Sequence, residues 1–125
     1  MTDNTFEILQ AAYAVHTALG PGLLEKVYEK ALKFELESRG FKVESQKRVP
    51  IMYHGVDLNT DEKDALRIDL LVDDTVLLEL KSVESLSNLH FKQTRTYLQL
   101  LNLHVGLLIN FNVPSLKEGI ARIER

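Results

Sequence analysis

Arg67-Ile68-Asp69-Leu70-Leu71-Val72, then Asp73-Asp74-Thr75, then Val76-Leu77-Leu78-Glu79-Leu80-Lys81 is the stretch on which the fold turns. Two aliphatic runs flank a short polar break, so they read as adjacent strands joined by a turn. Successive strand residues face opposite ways. Ile68, Leu70 and Val72 therefore share an apolar face with Val76, Leu78 and Leu80, and that face must be core. The other face carries Arg67, Asp69 and Leu71 on one strand and Leu77, Glu79 and Lys81 on the other. If Val72 pairs with Val76 around residues 73–75, Asp69 lies opposite Glu79. A two-residue loop would put the two carboxylates on opposite faces, because one step of register flips a strand.

Like charges facing each other across a sheet cost ~0.2–1 kcal/mol. A carboxylate pair held there by the backbone suggests a compensating cation. Asp69 and Glu79, joined by the backbone carbonyl of Leu80 and by water, offer oxygens that suit Mg²⁺ or Mn²⁺. Lys81 points to the same face, where its charge could meet that of a phosphate. The competing reading is a half-solvated sheet face whose charges pair across the strands.

Outward from the hairpin, apolar groups at Phe6, Leu9, Tyr13, His16 and Leu19 recur at close to helical spacing. Gly20-Pro21-Gly22 breaks that helix. A second helix is expected over residues 23–38, with a stripe of Leu24, Val27, Tyr28, Ala31, Leu32 and Leu36, and Gly40 just past its end. Residues 42–53 have strand character, with Pro50 marking an edge or a bend. Residues 57–64 read as an exposed loop. A third helix is expected over 88–101 with Asn88 as its cap, then a doubly buried strand over 105–111. Residues 115–125 form a short helix or a turn and a last strand. This order gives an α/β class with a mixed central β-sheet flanked by helices.

At 125 residues the chain suits a single domain, and 45% hydrophobic with 26% charged residues fits a globular protein. No apolar run has the length of a membrane span. The start, with Asp3 and Glu7, lacks the pattern of a secretion signal. With no cysteine there is no disulfide framework, and cytoplasmic residence is the expectation. The net charge of -3 runs against phosphate binding. Basic residues do gather at Lys42, Lys47 and Arg48, and at Lys81, Lys92 and Arg95, which a solvated surface explains as well as a phosphate track.

Asp69 followed by Glu79-Leu80-Lys81 across a short hairpin resembles the PD-(D/E)XK nuclease superfamily, with Ile68 where a proline is usual. Gly22-Leu23-Leu24-Glu25-Lys26-Val27-Tyr28 is similar to the signature of its GxxExxY branch. Gln93-Thr94-Arg95-Thr96-Tyr97 resembles the QxxxY motif of RecB-type members. The resemblance implies a restriction-endonuclease-like core and a metal-dependent nuclease acting on nucleic acid, DNA favoured over RNA. It also implies that Glu25 completes the metal shell, that Gln93 orients Lys81 or a phosphate, and that Tyr97 supports it. The alternative is a nucleic-acid-binding or protein-interaction module with an idle nuclease site. His16, on the inner side of the first helix, reads as a core histidine. Gln46 and Arg67 flank the cleft without a role fixed by the sequence. The edge near Pro50 is available to a second copy of the chain.

Overall fold

The computed structural model describes residues 4–125; residues 1–3, Asp3 among them, lie outside it. The elements are α1 (Thr5–Leu19), α2 (Glu25–Ser38), β1 (Val43–Arg48), β2 (Met52–Tyr53), β3 (Val56–Asp57), β4 (Arg67–Val72), β5 (Val76–Lys81), α3 (Asn88–Leu101), β6 (Val105–Asn110) and β7 (Ile120–Glu124). A 3₁₀ turn, Leu116–Gly119, leads into β7, so the last segment is both of the forms expected of it. Five strands form one sheet in the order β1-β4-β5-β6-β7. Only β5 and β6 run parallel, because α3 carries the chain back across the sheet between them. The fold is α/β, a mixed sheet flanked by helices. No helix among the described residues is long and apolar enough to cross a membrane.

Both sheet faces are covered. Leu70, Val72, Val76, Leu78 and Leu80 pack with Ile8, Ala12, Tyr28, Leu32 and Leu36 beneath α1 and α2. Leu71 and Leu77 pack with Leu98 of α3, Leu108 and Ile123 on the other side. Leu71 and Leu77, on the face that the competing reading left half-solvated, thus belong to a second core. β6 lies between two strands and two layers, and all six of its residues are buried.

The buried faces of α1 and α2 differ from the expected stripes. The inner face of α1 is Ile8, Ala11, Ala12, Val15 and His16, while Phe6 and Tyr13 look outward. Both stripes have helical spacing; the alanines win because they let α1 approach the sheet and α2 closely. In α2, which begins at Glu25 rather than residue 23, Tyr28, Leu32 and Leu36 are buried but Leu24 and Val27 are exposed. Its end is as expected: Gly40 has φ +92°, and the Phe41 N–H donates to Leu36 O, closing the last turn. The cap of α3 is Ser87, not Asn88. Its hydroxyl accepts the His90 N–H, and His90 Nδ1 accepts the Ser87 N–H in return.

The expected run over residues 42–53 splits at Pro50, whose missing N–H ends pairing. β1 stays at the sheet edge, and β2 pairs with β3 in a separate hairpin. His54 and Gly55 both have positive φ, which a two-residue hairpin turn requires. The following loop is exposed as expected, except at Asp57 and Asn59. Asn59 is buried; its amide donates to Val49 O (2.7 Å) and Leu66 O (2.9 Å), and its oxygen accepts the Leu66 N–H (2.8 Å). Asp57 takes the Arg48 guanidinium and the N–H groups of Asn59 and Ile51, which hold its carboxyl down to about 2. Asn59→Ala removes three bonds, one of them to the carbonyl of buried Val49 and two to half-buried Leu66. Chemical denaturation should show a loss of about 2 kcal/mol; a change under about 0.5 kcal/mol would mean that water replaces the amide.

Candidate active site

The β4–β5 turn settles the register. Val72 pairs with Val76, Leu71 with Leu77 and Leu70 with Leu78, around the three residues 73–75. Asp73 and Asp74 adopt positive φ in that turn, a conformation that Asp tolerates better than most residues. The next level brings Asp69 and Glu79 opposite each other, as expected from a three-residue loop.

There the ladder stops and the side chains take over. The Asp69 N–H donates to Glu79 Oε2 (3.0 Å), and the Leu80 N–H donates to Asp69 Oδ2 (2.8 Å). Each carboxylate thus occupies the place of a ladder acceptor, and the strands part around them. The parting breaks the alternation of β4. Ile68 joins Leu71 and Leu77 on the α3 side instead of Leu70 on the other. The expected common face of Ile68, Leu70 and Val72 is therefore wrong at its first residue.

Burial first, then the Asp69 charge and a side-chain hydrogen bond to Asp69, push the Glu79 carboxyl up to about 8, against the pull of the Asp69 N–H and a smaller one from Lys81. Two carboxylates in such a place share a proton or a cation. Tyr97, half-buried on α3, has its hydroxyl pKa raised by burial and by the Glu79 and Asp69 charges. Glu29 of α2 also feels Asp69, but burial is the larger cause of its raised pKa.

Lys81 is half-buried and forms no ion pair within 4.0 Å among the described residues. Its carbonyl accepts the Phe111 N–H at 2.9 Å, which faces its backbone toward β6. By alternation, the Leu80 carbonyl leaves on the β4 side, into the parting. Gln93 lies one turn before Tyr97 on α3, half-buried, with no protein hydrogen bond to its amide among the described residues.

Glu25 is exposed at the first residue of α2 and shares a recess with Leu23, Lys26 and Ser82. Three bonds hold that loop, two to α2 and one to the residue after β5. The Tyr28 hydroxyl donates to Gly20 O (2.6 Å) and accepts the Leu23 N–H (3.1 Å), and Ser82 Oγ donates to Leu23 O (2.6 Å). The Tyr28 ring stacks on Phe111 with centroids 4.5 Å apart. His16 Nε2 is bonded to the Val113 carbonyl at 2.9 Å, the core histidine that the sequence suggested.

Sequence reasoning passed over two residues here. Glu29 lies one turn beyond Glu25 and is the α2 carboxylate linked to Asp69, through Gln46. Asn110 is buried at the end of β6 and pins the chain beyond Lys81, accepting the Val83 N–H (3.1 Å) and donating to Val83 O (2.9 Å). A polar residue closing the apolar run 105–109 was the available signal. Among the described residues no three His, Cys, Asp or Glu side chains converge as a metal cage. The donors offered to a cation are instead two carboxylates and a backbone carbonyl. That hard oxygen set, with two acids crowded together, fits a divalent ion.

The family model of the PD-(D/E)XK nuclease superfamily matches residues 2–123. The chain belongs to that superfamily. Its members generally use divalent metals and act on nucleic acid, which agrees with two acids and a lysine at the parted end of a hairpin. No curated protein and no solved structure matches the chain.

Proposed function

We propose that this protein, as a member of the GxxExxY branch, is a Mg²⁺- or Mn²⁺-dependent nuclease that hydrolyses phosphodiester bonds, with DNA favoured over RNA. The observation that carries this reading is the Asp69–Glu79 pair, Glu79 buried and Asp69 half-buried, beside a Lys81 that forms no ion pair among the described residues. Asp69, Glu79 and the Leu80 carbonyl are the metal donors in this reading, with Glu25 reaching across from the start of α2. When bound, a divalent ion supplies Lewis acidity to the scissile phosphate. Lys81 meets the charge that develops on that phosphate. Gln93, whose amide has no protein partner among the described residues, orients Lys81 or the phosphate, and Tyr97 supports it from the next turn of α3.

Cations on both flanking helices favour a polyanion. Lys26 and Lys30 border a recess with Glu29 and Gln46, and Lys92 and Arg95 border another with Asn88 and Phe91. None of these four forms an ion pair within 4.0 Å among the described residues. Lys42, Lys47, Arg48 and Arg67, in contrast, are tied to carboxylates. The paired variant Lys26→Ala/Lys30→Ala should weaken DNA binding in chelator equally across sequences. It should lower the slope of log affinity against log salt by about 2. An unchanged slope would take α2 out of the path.

The function itself is tested by incubating single- and double-stranded DNA and RNA with each metal. Cleavage by the wild type and its loss in Glu79→Gln is the expected result. Metal binding without cleavage of any substrate would support the idle-site module instead.

A further inference from the structure

We infer that Gln46 is a positioning residue for the Asp69 carboxylate, holding it to Glu29 of α2 so that it meets a divalent ion in one fixed orientation. The inference rests on the metal-site reading above.

β1 and β4 pair in one constant register on either side of this point, Ser45 with Leu70 and Lys47 with Ile68. At Gln46 and Asp69 the pairing is missing. Gln46 has φ +55°, a left-handed conformation that costs a non-glycine residue roughly 1–2 kcal/mol. Such a residue inside a strand persists only if its surroundings hold it there, and sites of function are where such strain gathers. The Gln46 amide donates to Glu29 Oε1 at 2.7 Å and to Asp69 Oδ1 at 3.3 Å. Glu29 is itself held by Ser45, whose hydroxyl donates to Oε2 at 2.9 Å. Arg67 Nη1 donates to the Gln46 carbonyl at 3.2 Å, which fixes the backbone independently of the side chain.

The chemistry suits an amide. One –NH₂ group has two donors and serves both carboxylates at once. Being neutral, it does not cancel the negative charge that attracts a cation. A lysine at this position would compete with the ion, and an acid would repel both neighbours. With the Leu80 N–H on Oδ2, each Asp69 oxygen has one protein donor and keeps a lone pair for the ion.

Two variants separate the amide from the backbone. Gln46→Gly removes the side chain and suits the positive φ. Gln46→Met keeps the length but has no donor. Both should bind Mn²⁺ about 10-fold more weakly than wild type by titration calorimetry, the range expected when a partner that orients a ligand is lost. In chelator, Gln46→Gly should melt at or above the wild-type temperature, which a merely structural role would not allow. Mn²⁺ affinities within about twofold of wild type for both variants would overturn the inference, as would a Gln46→Gly protein that melts well below wild type. A wild-type protein that binds no Mn²⁺ would overturn the metal-site reading as well, so the two failures are distinct.

Discussion

Lys81→Ala lowers turnover on the order of 100-fold or more while metal affinity stays intact or improves slightly: this is the result expected if the lysine acts mainly in the transition state. Its ammonium is beside the carboxylate pair, close enough to pull the Glu79 pKa down against burial. The strand itself does not need the side chain. Lys81 pairs through its backbone with β6, and Asn110 pins the next turn of chain. The variant should therefore fold and melt like wild type. Glu79→Gln should differ by weakening metal binding and turnover together. The assay pairs single-turnover cleavage with Mn²⁺ titration for both variants. If the wild type binds the ion but cuts no substrate faster than Lys81→Ala does, the site is idle.

The second large effect is on stability against pH. Folding lifts the Glu79 carboxyl from the ordinary range to about 8, through burial first and the Asp69 charge second. The folded protein then holds a proton that the unfolded chain releases above about pH 4.5. The contribution is fully present below that pH and is lost as pH rises through about 8. In chelator the wild type should thus be less stable at about pH 9 than at about pH 5, by an amount on the order of a few kcal/mol. Glu79→Gln, with a permanent neutral donor, should show a flatter profile. A metal bound as proposed would compete with that proton, so affinity for Mg²⁺ should rise with pH, and added Mg²⁺ should stabilise the wild type most near pH 9. Melts that fall equally for wild type and Glu79→Gln would assign the pH dependence to other groups.

What the sequence determined by itself is the part of the molecule written in short spacings. Alternation in β4 and β5, with a three-residue turn whose aspartates accept positive φ, places Asp69 opposite Glu79 and puts Lys81 beyond it. The unbroken apolar run of β6 needs two covered faces, and the helix that precedes it supplies the parallel crossover. These features follow from period and turn chemistry, which act between near neighbours. Other features needed the packed chain. Two stripes of α1 have helical spacing, and only contact with α2 and the sheet selects the one with Ala11 and Ala12. Ile68 changes sides because carboxylates replace ladder acceptors at its neighbour, an event no alternation rule contains. Glu25 bears the motif, yet Glu29, one turn on, is the acid linked to Asp69, since that link runs through Gln46 on a strand far along the chain. The raised pKa of Glu79 belongs to the same class. It depends on how much water α3 and the sheet exclude around two like charges, and only the tertiary structure sets that.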